Sequence, residues 1–341
     1  MPYTTRQPAP LAAILALGFV AGFGNAAQAQ ATDGILKIAH AVPVGDPRDL
    51  GAQKIKEVLE ASGSCDMTVQ IYPAGQLGSP EDINEGVQFG AIEMSILPAA
   101  YLVNTEPLFG VFDFPYFWPT DVERLREVHD GPALQDLVGR LQAHNYMALS
   151  IWYNGHKVWT ANRPLRTLDD FRGLTARVMP SPILAEQDVA LGMTPVTIPF
   201  SEAYSAMQSG AVDAQENPPA ITYNMKFHEI QSHVMLSNHG TMDQMVLANQ
   251  PWWEGLTAEC RAAIEEAVAA GRQTILEATL AQDRKALEAF AAEGVTIIEL
   301  TDEEIEIQRE AALTHVRDFY IGRHGDTGRQ IVEAIEAELA K

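Results

Sequence analysis

Short apolar segments alternate with amphipathic segments from Gly34 onward. The segments "ILKIAH", "MTVQIYP" and "EMSIL" each predict a strand, and the stretch from about Pro47 to Ser62 predicts a helix between the first two. A second helix is predicted over "SPEDINEGVQFG", because Ser79 can cap its first turn, acidic residues follow in that turn, and Gly90 can end it. This β-α-β-α-β order predicts a parallel sheet with right-handed crossovers.

The alternation starts again after an aromatic segment, "FGVFDFPYFWP", and two helical segments at about 120–143. Strands are predicted over "YMALSIWYN", "TARVM", "TPVTIP" and "AVDAQ". Helices begin between them at Ser181-Pro182 and at Ser201-Glu202, where a capping side chain or an acidic first turn suits the helix dipole. The restart of the pattern predicts two α/β lobes.

A long helical pattern runs from Leu256 to about Glu293, is interrupted only by Gly271 and is ended by Gly294. A helix of ~35 residues is ~50 Å long, which exceeds one lobe. We expect it either to bridge both lobes or to bend at Gly271. A coiled coil is the alternative, but the apolar positions do not form a regular heptad. The segment "VTIIEL" then predicts a strand, followed by two acidic amphipathic helices.

The N-terminal residues predict a Sec-type signal peptide over residues 1–29. Arg6 precedes an apolar stretch from Leu11 to Val20, and Ala27 and Ala29 form an A-x-A arrangement with cleavage expected near Ala29. The stretch is shorter than the ~20 residues that a spanning helix needs, so a retained anchor is the weaker alternative. No later segment is apolar enough to span a bilayer, and we expect a soluble exported product, periplasmic in a Gram-negative host.

Charge and cysteine content narrow the classes of partner. The formal charge of −22 becomes −23 without residues 1–29, because Arg6 is the only charged residue removed, and so negative a chain disfavours nucleic acid and anionic lipid. A small anionic ligand stays compatible, since one buried cation can dominate a desolvated pocket. Export would permit a bridge between Cys65 and Cys260, but two unpaired thiols are the favoured interpretation. No metal-ligand spacing, P-loop or G-x-S-x-G turn occurs, so no metal, cofactor or catalytic residue is expected.

Two polar side chains lie at or near the ends of predicted strands, at positions suited to a ligand. Arg177 lies near the carboxyl end of the strand in "GLTARVMPSP", the edge at which open α/β sheets bind ligands, and a guanidinium matches a carboxylate. A structural arginine paired to an acid is the alternative. Asn217, in "AVDAQENPP", follows a strand and precedes two prolines, and its alternative is a turn or cap asparagine.

A third segment, "WYNGHKVWTANRP", marks the start of the second lobe. Its Asn154-Gly155 pair is typical of a strand-to-strand turn or a crossover between domains, and Lys157 could supply a second positive charge to an anion. Trp152, Trp159 and Phe200 are candidate walls of a cleft, although such aromatic residues more often belong to a core.

These segments together resemble the DctP-type solute receptors of tripartite ATP-independent periplasmic (TRAP) transporters. The resemblance covers about Leu36 to Glu299. It rests on six ordered blocks: "LKIAHAVPVGDPRDLGAQKIKEVLE", "VQIYPAGQLGSPEDINEGVQFGAIEMSIL", "FDFPYFW", "YNGHKVWTANRPLRTLDDFRGLTARVMPSP", "ALGMTPVTIPFSEAYSAMQSGAVDAQENPP" and "KFHEIQSHVMLSNH".

The resemblance implies a two-lobed α/β fold of the periplasmic-binding-protein kind (type II-like). Two mixed or parallel sheets, flanked by helices, would be joined by crossing strands and the long helix. We expect residues 30–153 plus about 243–282 to form lobe I, and residues 154–242 plus about 283–341 to form lobe II.

The resemblance also implies roles for individual residues. Arg177 matches the arginine that forms the principal salt bridge to a ligand carboxylate, Asn217 assists, and Phe200 packs on the ligand. Lys157 stands where relatives commonly carry an arginine, so a point charge replaces a bidentate clamp. Ala214 replaces a glycine. First-lobe contacts are expected among His40, Glu81 and Ser95.

The predicted function is an extracytoplasmic receptor that closes on a small organic acid and delivers it to a TRAP membrane permease. We expect a monomer. The sequence leaves open which acid is bound, and two other functions stay possible: an exported lyase or isomerase acting on a hydroxy acid, and a ligand-sensing partner of a membrane sensor.

Overall fold

The structure is a computed structural model and describes residues 34–341. The predicted signal peptide, residues 1–29, lies outside the described residues. Among the helices of the described part, none combines the length and the apolar character that a membrane span requires.

The described residues form eleven strands and eleven α-helices. The strands are β1 (Ile35–Ala39), β2 (Thr68–Tyr72), β3 (Met94–Pro98), β4 (Tyr146–His156), β5 (Val158–Ala161), β6 (Thr175–Val178), β7 (Thr194–Thr197), β8 (Ala214–Asn217), β9 (His233–Leu236), β10 (Thr241–Asn249) and β11 (Thr296–Glu299). The helices are α1 (Pro47–Ser62), α2 (Pro80–Gln88), α3 (Val122–His129), α4 (Pro132–Gly139), α5 (Leu168–Phe171), α6 (Pro182–Leu191), α7 (Ala203–Gln208), α8 (Pro219–Asn224), α9 (Gln250–Gly255), α10 (Ala258–Ala292) and α11 (Asp302–Leu339).

The strands form two mixed sheets, each the centre of one lobe. The first has the order β2-β1-β3-β10-β4, with β1 parallel to β2 and β3 as predicted, and β10 antiparallel to both of its neighbours. The second has the order β11-β9-β5-β8-β6-β7, in which β6 runs parallel to β7 and β8. The predicted two-lobed α/β fold is therefore confirmed.

Two of the strands in the middle of the chain carry it between the lobes. β4 and β5 are separated only by Lys157, so the chain leaves the first sheet at His156 and enters the second at Val158. Gly155 has φ 102°, and a Cβ there would approach the Cβ of Pro218 to 2.6 Å, so both conformation and space require glycine. The Asn154-Gly155 pair is thus part of a crossover rather than a hairpin turn.

Helix α10 bridges both lobes, which decides between the two arrangements predicted for it. It packs against α1 and β4 of the first lobe and against α8 and β11 of the second. Gly271 lies where the helix meets Trp152 of β4, and a Cβ at this position would be 2.7 Å from the indole ring. Glycine therefore permits close approach of helix and sheet here, and the helix does not break.

The two predicted C-terminal helices form α11, which is interrupted at Gly325 by a non-helical conformation (φ 60°, ψ −141°). α11 packs against α6 of the second lobe and against α3 and α4 of the first. Near its end, Glu338 accepts a hydrogen bond from the backbone N–H of Ala133 at 2.9 Å. The C-terminal helix therefore also connects the lobes.

The favoured expectation of two unpaired thiols is wrong. Cys65, just before β2, and Cys260, in the first turn of α10, form a disulfide with a Cα–Cα distance of 5.0 Å. The two residues are 195 positions apart. Only the packing of α10 on the first lobe brings them together, which spacing in the sequence does not reveal.

Candidate functional site

A cavity of about 20 Å³ lies between the lobes, at the carboxyl ends of β1, β3, β6 and β8. Crevices at this edge of α/β sheets are the usual place for ligands. The first lobe contributes a loop, the first turns of α1 and α2, the end of β3, a 3₁₀ turn after it and one residue of β10. The second lobe contributes the residue after β6, a 3₁₀ turn after β7, the end of β8 and one residue of α8. The lining residues are Ala41, Arg48, Pro80, Pro98, Tyr101, Met179, Phe200, Asn217, Ile221 and Met242.

Arg177 lies directly behind this lining, in β6, with only 2% of its surface exposed. Its Nε donates to the carbonyl of Ile198 at 3.0 Å, and its guanidinium carbon is 5.8 Å from the centroid of the Phe200 ring. Nη2 is buried without a hydrogen-bond partner, and no carboxylate within residues 34–341 forms a salt bridge with this residue. A buried guanidinium with donors to spare is suited to an anion.

Arg48 is a second buried cation, and it lines the cavity from the first lobe. It occupies the first turn of α1, after the N-cap Asp46. Its Nη2 donates to Oδ1 of Asn154 at a long 3.4 Å, and its Nε has no partner among the described residues. Burial lowers the pKa of Arg48 to about 10, opposed by the nearby charge of Asp46, so the side chain stays cationic at neutral pH.

Tyr101 lines the cavity, and both arginines act on its hydroxyl. Burial raises the pKa of its hydroxyl, whereas the charges of Arg177 and Arg48 both act to lower it. Glu81, half-buried in the first turn of α2, also acts on this hydroxyl and raises its pKa. Glu81 is thus near the site, beside the lining residue Pro80.

Two other predicted residues, Asn217 and Phe200, line the cavity directly. Asn217 ends β8, is 3% exposed, and donates from Nδ2 to Oε1 of Gln215 at 2.5 Å. Phe200 lies in a 3₁₀ turn, Phe200–Glu202, where its ring packs edge-on against Phe227 at a centroid distance of 6.3 Å. The structure therefore brings Arg177, Asn217 and Phe200 together.

Lys157 is not part of the cavity lining. Its side chain is buried between the lobes, and Nζ donates to Oε1 of Glu216 at 2.8 Å. The other oxygen of Glu216 accepts from Nε2 of His239 at 2.6 Å and from Nε2 of Gln187 at 2.9 Å. The ammonium that was expected to serve the ligand is thus engaged by a carboxylate of its own protein.

Lys157 is surrounded by more buried carboxyl groups than it can neutralise. Burial acts to raise the pKa of Glu216, but Lys157 and His239 outweigh it and hold that pKa below its usual range. For Asp113 burial prevails and raises the pKa to about 6, even though Lys157 opposes it. Burial likewise raises the pKa of Asp188 well above its usual value. This cluster sits at the junction of the lobes.

Three predicted site residues lie elsewhere. Trp152 was expected as a cleft wall, but it is fully buried in the first-lobe core between Gly51 and Gly271, because β4 turns its ring toward α1 and α10. His40 is buried, with Nε2 3.2 Å from Oδ1 of Asp49. Ser95 is buried in β3 with its Oγ unpartnered in the described part of the chain. None of the three lines the cavity. Trp159, also a candidate wall, stacks on His239 in the second lobe.

Sequence reasoning missed Arg48, although a signal was present. Helix N-termini favour acidic residues because of the helix dipole, so a cation in a first turn is unfavourably placed unless it has another role. "GDPRDL" puts such a cation in the first turn of the helix that follows β1. Elsewhere among residues 34–341, no group of His, Cys, Asp and Glu side chains is arranged to hold a metal ion.

Comparison with known proteins gives a consistent match over most of the chain. Residues 38–323 match DctP, bacterial extracellular solute-binding protein, family 7. A C4-dicarboxylate-binding periplasmic protein of Rhodobacter capsulatus is 36% identical over 90% of this chain and 91% of its own length. A TRAP periplasmic solute-binding protein of Desulfovibrio salexigens, solved with orotic acid, has a TM-score of 0.87 at 31% identity, covering 90% of this chain and 99% of its own. One of Shewanella oneidensis, solved with succinate, has a TM-score of 0.84 at 28% identity, covering 89% and 99%.

Proposed function

This chain belongs to the DctP family of bacterial extracellular solute-binding proteins, family 7, and from that premise we propose that it binds a small dicarboxylate between its lobes. One carboxylate would be held by Arg177 with the help of Asn217, and the other by Arg48. As a member of a family of solute receptors for TRAP transporters, it would deliver the bound acid to a separate membrane permease.

The observation that carries this proposal is the pair of arginines. Arg48 belongs to the first lobe and Arg177 to the second, both are buried, and neither forms a salt bridge within the described residues. Burying an uncompensated cation is costly, and an anion that accepts hydrogen bonds from it offsets that cost. Asp46 offsets part of the charge of Arg48, but each guanidinium keeps a buried nitrogen without a partner among the described residues. Two such groups, one from each lobe, favour a ligand with an anionic group at each end.

Relatives support an acidic ligand. The Rhodobacter capsulatus relative is described as binding C4-dicarboxylates, and the Shewanella oneidensis structure contains succinate. Phe200 would pack on the carbon chain beside Arg177, and Tyr101, on whose hydroxyl both charges act, would donate that hydroxyl to the ligand. Glu81, His40 and Ser95 would act on specificity only through neighbours, and Lys157 through Glu216.

The size of the cavity supports a mechanism by hinge closure. A volume of about 20 Å³ holds about one water molecule, so a dicarboxylate enters only when the lobes part. The acid first meets the second lobe, and contacts with Arg48 then favour reclosure, because a ligand shifts a conformational equilibrium only by its differential contacts.

We further propose that the receptor is a periplasmic monomer that does not transform its ligand and does not bind nucleic acid. The family is one of receptors rather than enzymes. Recovery of chemically unchanged acid from the purified protein, followed by NMR, checks this directly. A product with altered carbon connectivity would instead indicate an exported lyase or isomerase.

The test begins with a thermal-shift screen of organic acids, followed by calorimetry with succinate and with butyrate, which has the same carbon number and one carboxylate. Because each arginine would pair with a buried carboxylate, Arg177→Ala and Arg48→Gln should each weaken succinate binding by about 2 to 5 kcal/mol. Arg177→Lys should also weaken it, since an ammonium lacks the bidentate geometry.

Arg48→Gln should in addition abolish the preference for succinate over butyrate. The control Arg329→Gln removes an exposed cation of α11 and should leave both affinities unchanged. Unchanged succinate affinity in Arg177→Ala would disprove the site. An unchanged preference in Arg48→Gln would disprove the second carboxylate contact alone.

A further inference from the structure

A second pocket lies at the hinge and is much larger than the cavity between the lobes. Its volume is about 210 Å³. It shares no lining residue with the first cavity, so it is a separate site. Its lining residues are Tyr153, His156, Val158, Pro219, Leu236, Asn238, Asp283 and Leu287.

The walls of this hinge pocket come from every segment that joins the lobes nearby. Tyr153 and His156 end β4, and Val158 begins β5, so the first crossover forms one wall. Asn238 lies in the return from β9 to β10, and Asp283 lies in α10. A rotation of one lobe relative to the other must therefore change the shape of this pocket.

Asp283 supplies the charged hydrogen-bonding group of the pocket, and the exposed amide of Asn238 adds a neutral one. Its Oδ1 accepts a hydrogen bond from the backbone N–H of Ala220 at 2.8 Å, whereas no described residue donates to Oδ2. A Cβ on Gly155 would lie 3.3 Å from Oδ2, so the glycine leaves space around this oxygen. A carboxylate oxygen can accept further hydrogen bonds, and here one side of it is open to the pocket.

The other titratable groups of the lining bind each other. The hydroxyl of Tyr153 is 2.7 Å from Nδ1 of His156, and Nε2 of His156 is 3.2 Å from the carbonyl of Pro119. His156 therefore donates from Nε2 and accepts at Nδ1, and burial lowers its pKa, which keeps the ring neutral. At pH 8 Asp283 is accordingly the lining residue that carries a full charge.

The hinge pocket combines a negative charge, that of Asp283, with apolar walls. Burial raises the pKa of Asp283 to about 7, and the nearby charge of Asp46 raises it further, so the carboxylate lacks a compensating cation. Val158, Leu236, Leu287 and Pro219 provide the apolar surface. An anion would be repelled by Asp283 and by the net charge of −22, and a neutral molecule would leave Oδ2 without a charged partner.

We propose that the hinge pocket binds a small organic cation, a primary ammonium with a short apolar tail. The ammonium donates to Oδ2 of Asp283, and the tail packs against the apolar walls. Because both crossovers form the pocket, its occupant stabilises the closed arrangement described above and so strengthens binding of the organic acid. This second statement rests on the proposed receptor function, whereas the site itself does not.

The site is tested by an NMR titration with n-butylammonium chloride, at constant ionic strength and pH 8, with no organic acid present. Wild-type protein should bind n-butylammonium, and n-butanol, its neutral counterpart, should bind about tenfold or more weakly because it lacks the charge-assisted hydrogen bond. Asp283→Asn should weaken n-butylammonium binding by a similar factor. Leu287→Trp, which fills the pocket and retains Asp283, should abolish it.

The control is Leu280→Trp, on an exposed face of the same helix, which should bind n-butylammonium like wild type. Equal affinity for n-butanol and n-butylammonium, or unchanged binding in Leu287→Trp, would overturn the site and leave the receptor function untouched. Calorimetry then measures succinate affinity with and without saturating n-butylammonium. A rise of about twofold to tenfold supports the link to closure, and no change refutes that link alone.

Discussion

Individual buried carboxyl groups make the junction of the lobes sensitive to pH, in two opposing directions. Asp113 is 6% exposed and its pKa is raised to about 6 from 3.8, so ionising it costs more in the folded protein than in the unfolded chain. Its stabilising contribution is present below pH 4 and is lost as the pH rises through 6. Glu216, whose pKa is lowered, loses its contribution as the pH falls instead.

The variant Asp113→Asn separates the pH dependence of stability due to Asp113 from that due to Glu216. Because asparagine cannot ionise, the free energy of unfolding of the variant, relative to wild type, should rise by about 2 kcal/mol between pH 4 and pH 8. Urea denaturation across that pH range measures the difference, and taking it against wild type cancels the effect of Glu216. Asp326→Asn, exposed on α11, controls for the loss of one negative charge. A difference that does not vary with pH would contradict the assignment to Asp113.

Lys157→Met tests the structural role of that lysine. The variant leaves the buried Glu216 without its ammonium, so it should destabilise the protein by about 3 to 5 kcal/mol. Adding Glu216→Gln should recover part of the loss. Lys54→Met, which removes a surface pair with Glu57, should change stability by less than about 1 kcal/mol.

Calorimetry with succinate separates this structural role from a contact with the ligand. Lys157→Met should retain succinate binding better than Arg177→Ala does, because the ammonium is engaged by Glu216. A larger loss of succinate affinity in Lys157→Met than in Arg177→Ala would indicate that Lys157 contacts the ligand.

At the site, the sequence indicated individual candidate residues, but it did not reveal which side chains they pair with in the fold. Arg177, Asn217 and Phe200, which were predicted from their positions at strand ends or from a family motif, lie together at the cavity, and their binding of a ligand stays a prediction. Lys157 was placed at the crossover correctly, but its partner Glu216 is 59 positions away, and only the antiparallel pairing of β5 and β8 brings them together. Arg48 was not predicted, although a cation in the first turn of a helix opposes the helix dipole and therefore suggests another role for that side chain.

Among the elements, α10 depends on one contact for its alignment with the first sheet. At Gly271 the helix backbone approaches the indole ring of Trp152 and the carbonyl of Gly51, at 2.7 Å and 3.0 Å from an ideal Cβ. Neither the ring, which is fully buried, nor the backbone of α1 can move without disturbing the core. The glycine is therefore required by packing, although it weakens the helix itself.

Gly271→Ala should consequently destabilise the protein by about 1 to 3 kcal/mol, despite the higher helix propensity of alanine. The matched variant is Gly322→Ala in α11, where a Cβ would meet no atom within 4 Å. That change should be neutral or stabilise by up to about 1 kcal/mol. Chemical denaturation of both variants measures the contrast, and equal effects would show that the contact with Trp152 tolerates a methyl group.

Several elements with a clear local signal were predicted, whereas β5, β9 and β10 were not. β1, β2, β3 and the capped helices α1 and α2 follow from alternation and from N-cap residues such as Ser79, whose capping box is present. β10 was not predicted because it contains Asp243, Gln244 and Asn249. All nine of its positions are buried between β3 and β4, so tertiary pairing rather than pattern makes it a strand.

For the molecule as a whole, the disulfide fastens α10 to the first lobe. Cys65→Ser combined with Cys260→Ser should lower the free energy of unfolding by about 2 to 4 kcal/mol, because the unfolded chain gains the conformational freedom of a long loop. Guanidinium denaturation measures this loss. A reducing agent should destabilise wild type but not the double variant. Equal stability of both proteins under oxidising conditions would contradict a stabilising bridge.

The position of β10 in the first sheet also determines when that sheet can form all of its strand pairs. β10 lies between β3 and β4, yet it follows both of them and most of the second sheet in the chain. A chain that emerges N-terminus first holds β3 and β4 with unpaired edges until Asn249 has appeared. Cys65 likewise has no native partner until residue 260 appears. The first sheet therefore cannot be completed by a contiguous N-terminal fragment that ends before β10.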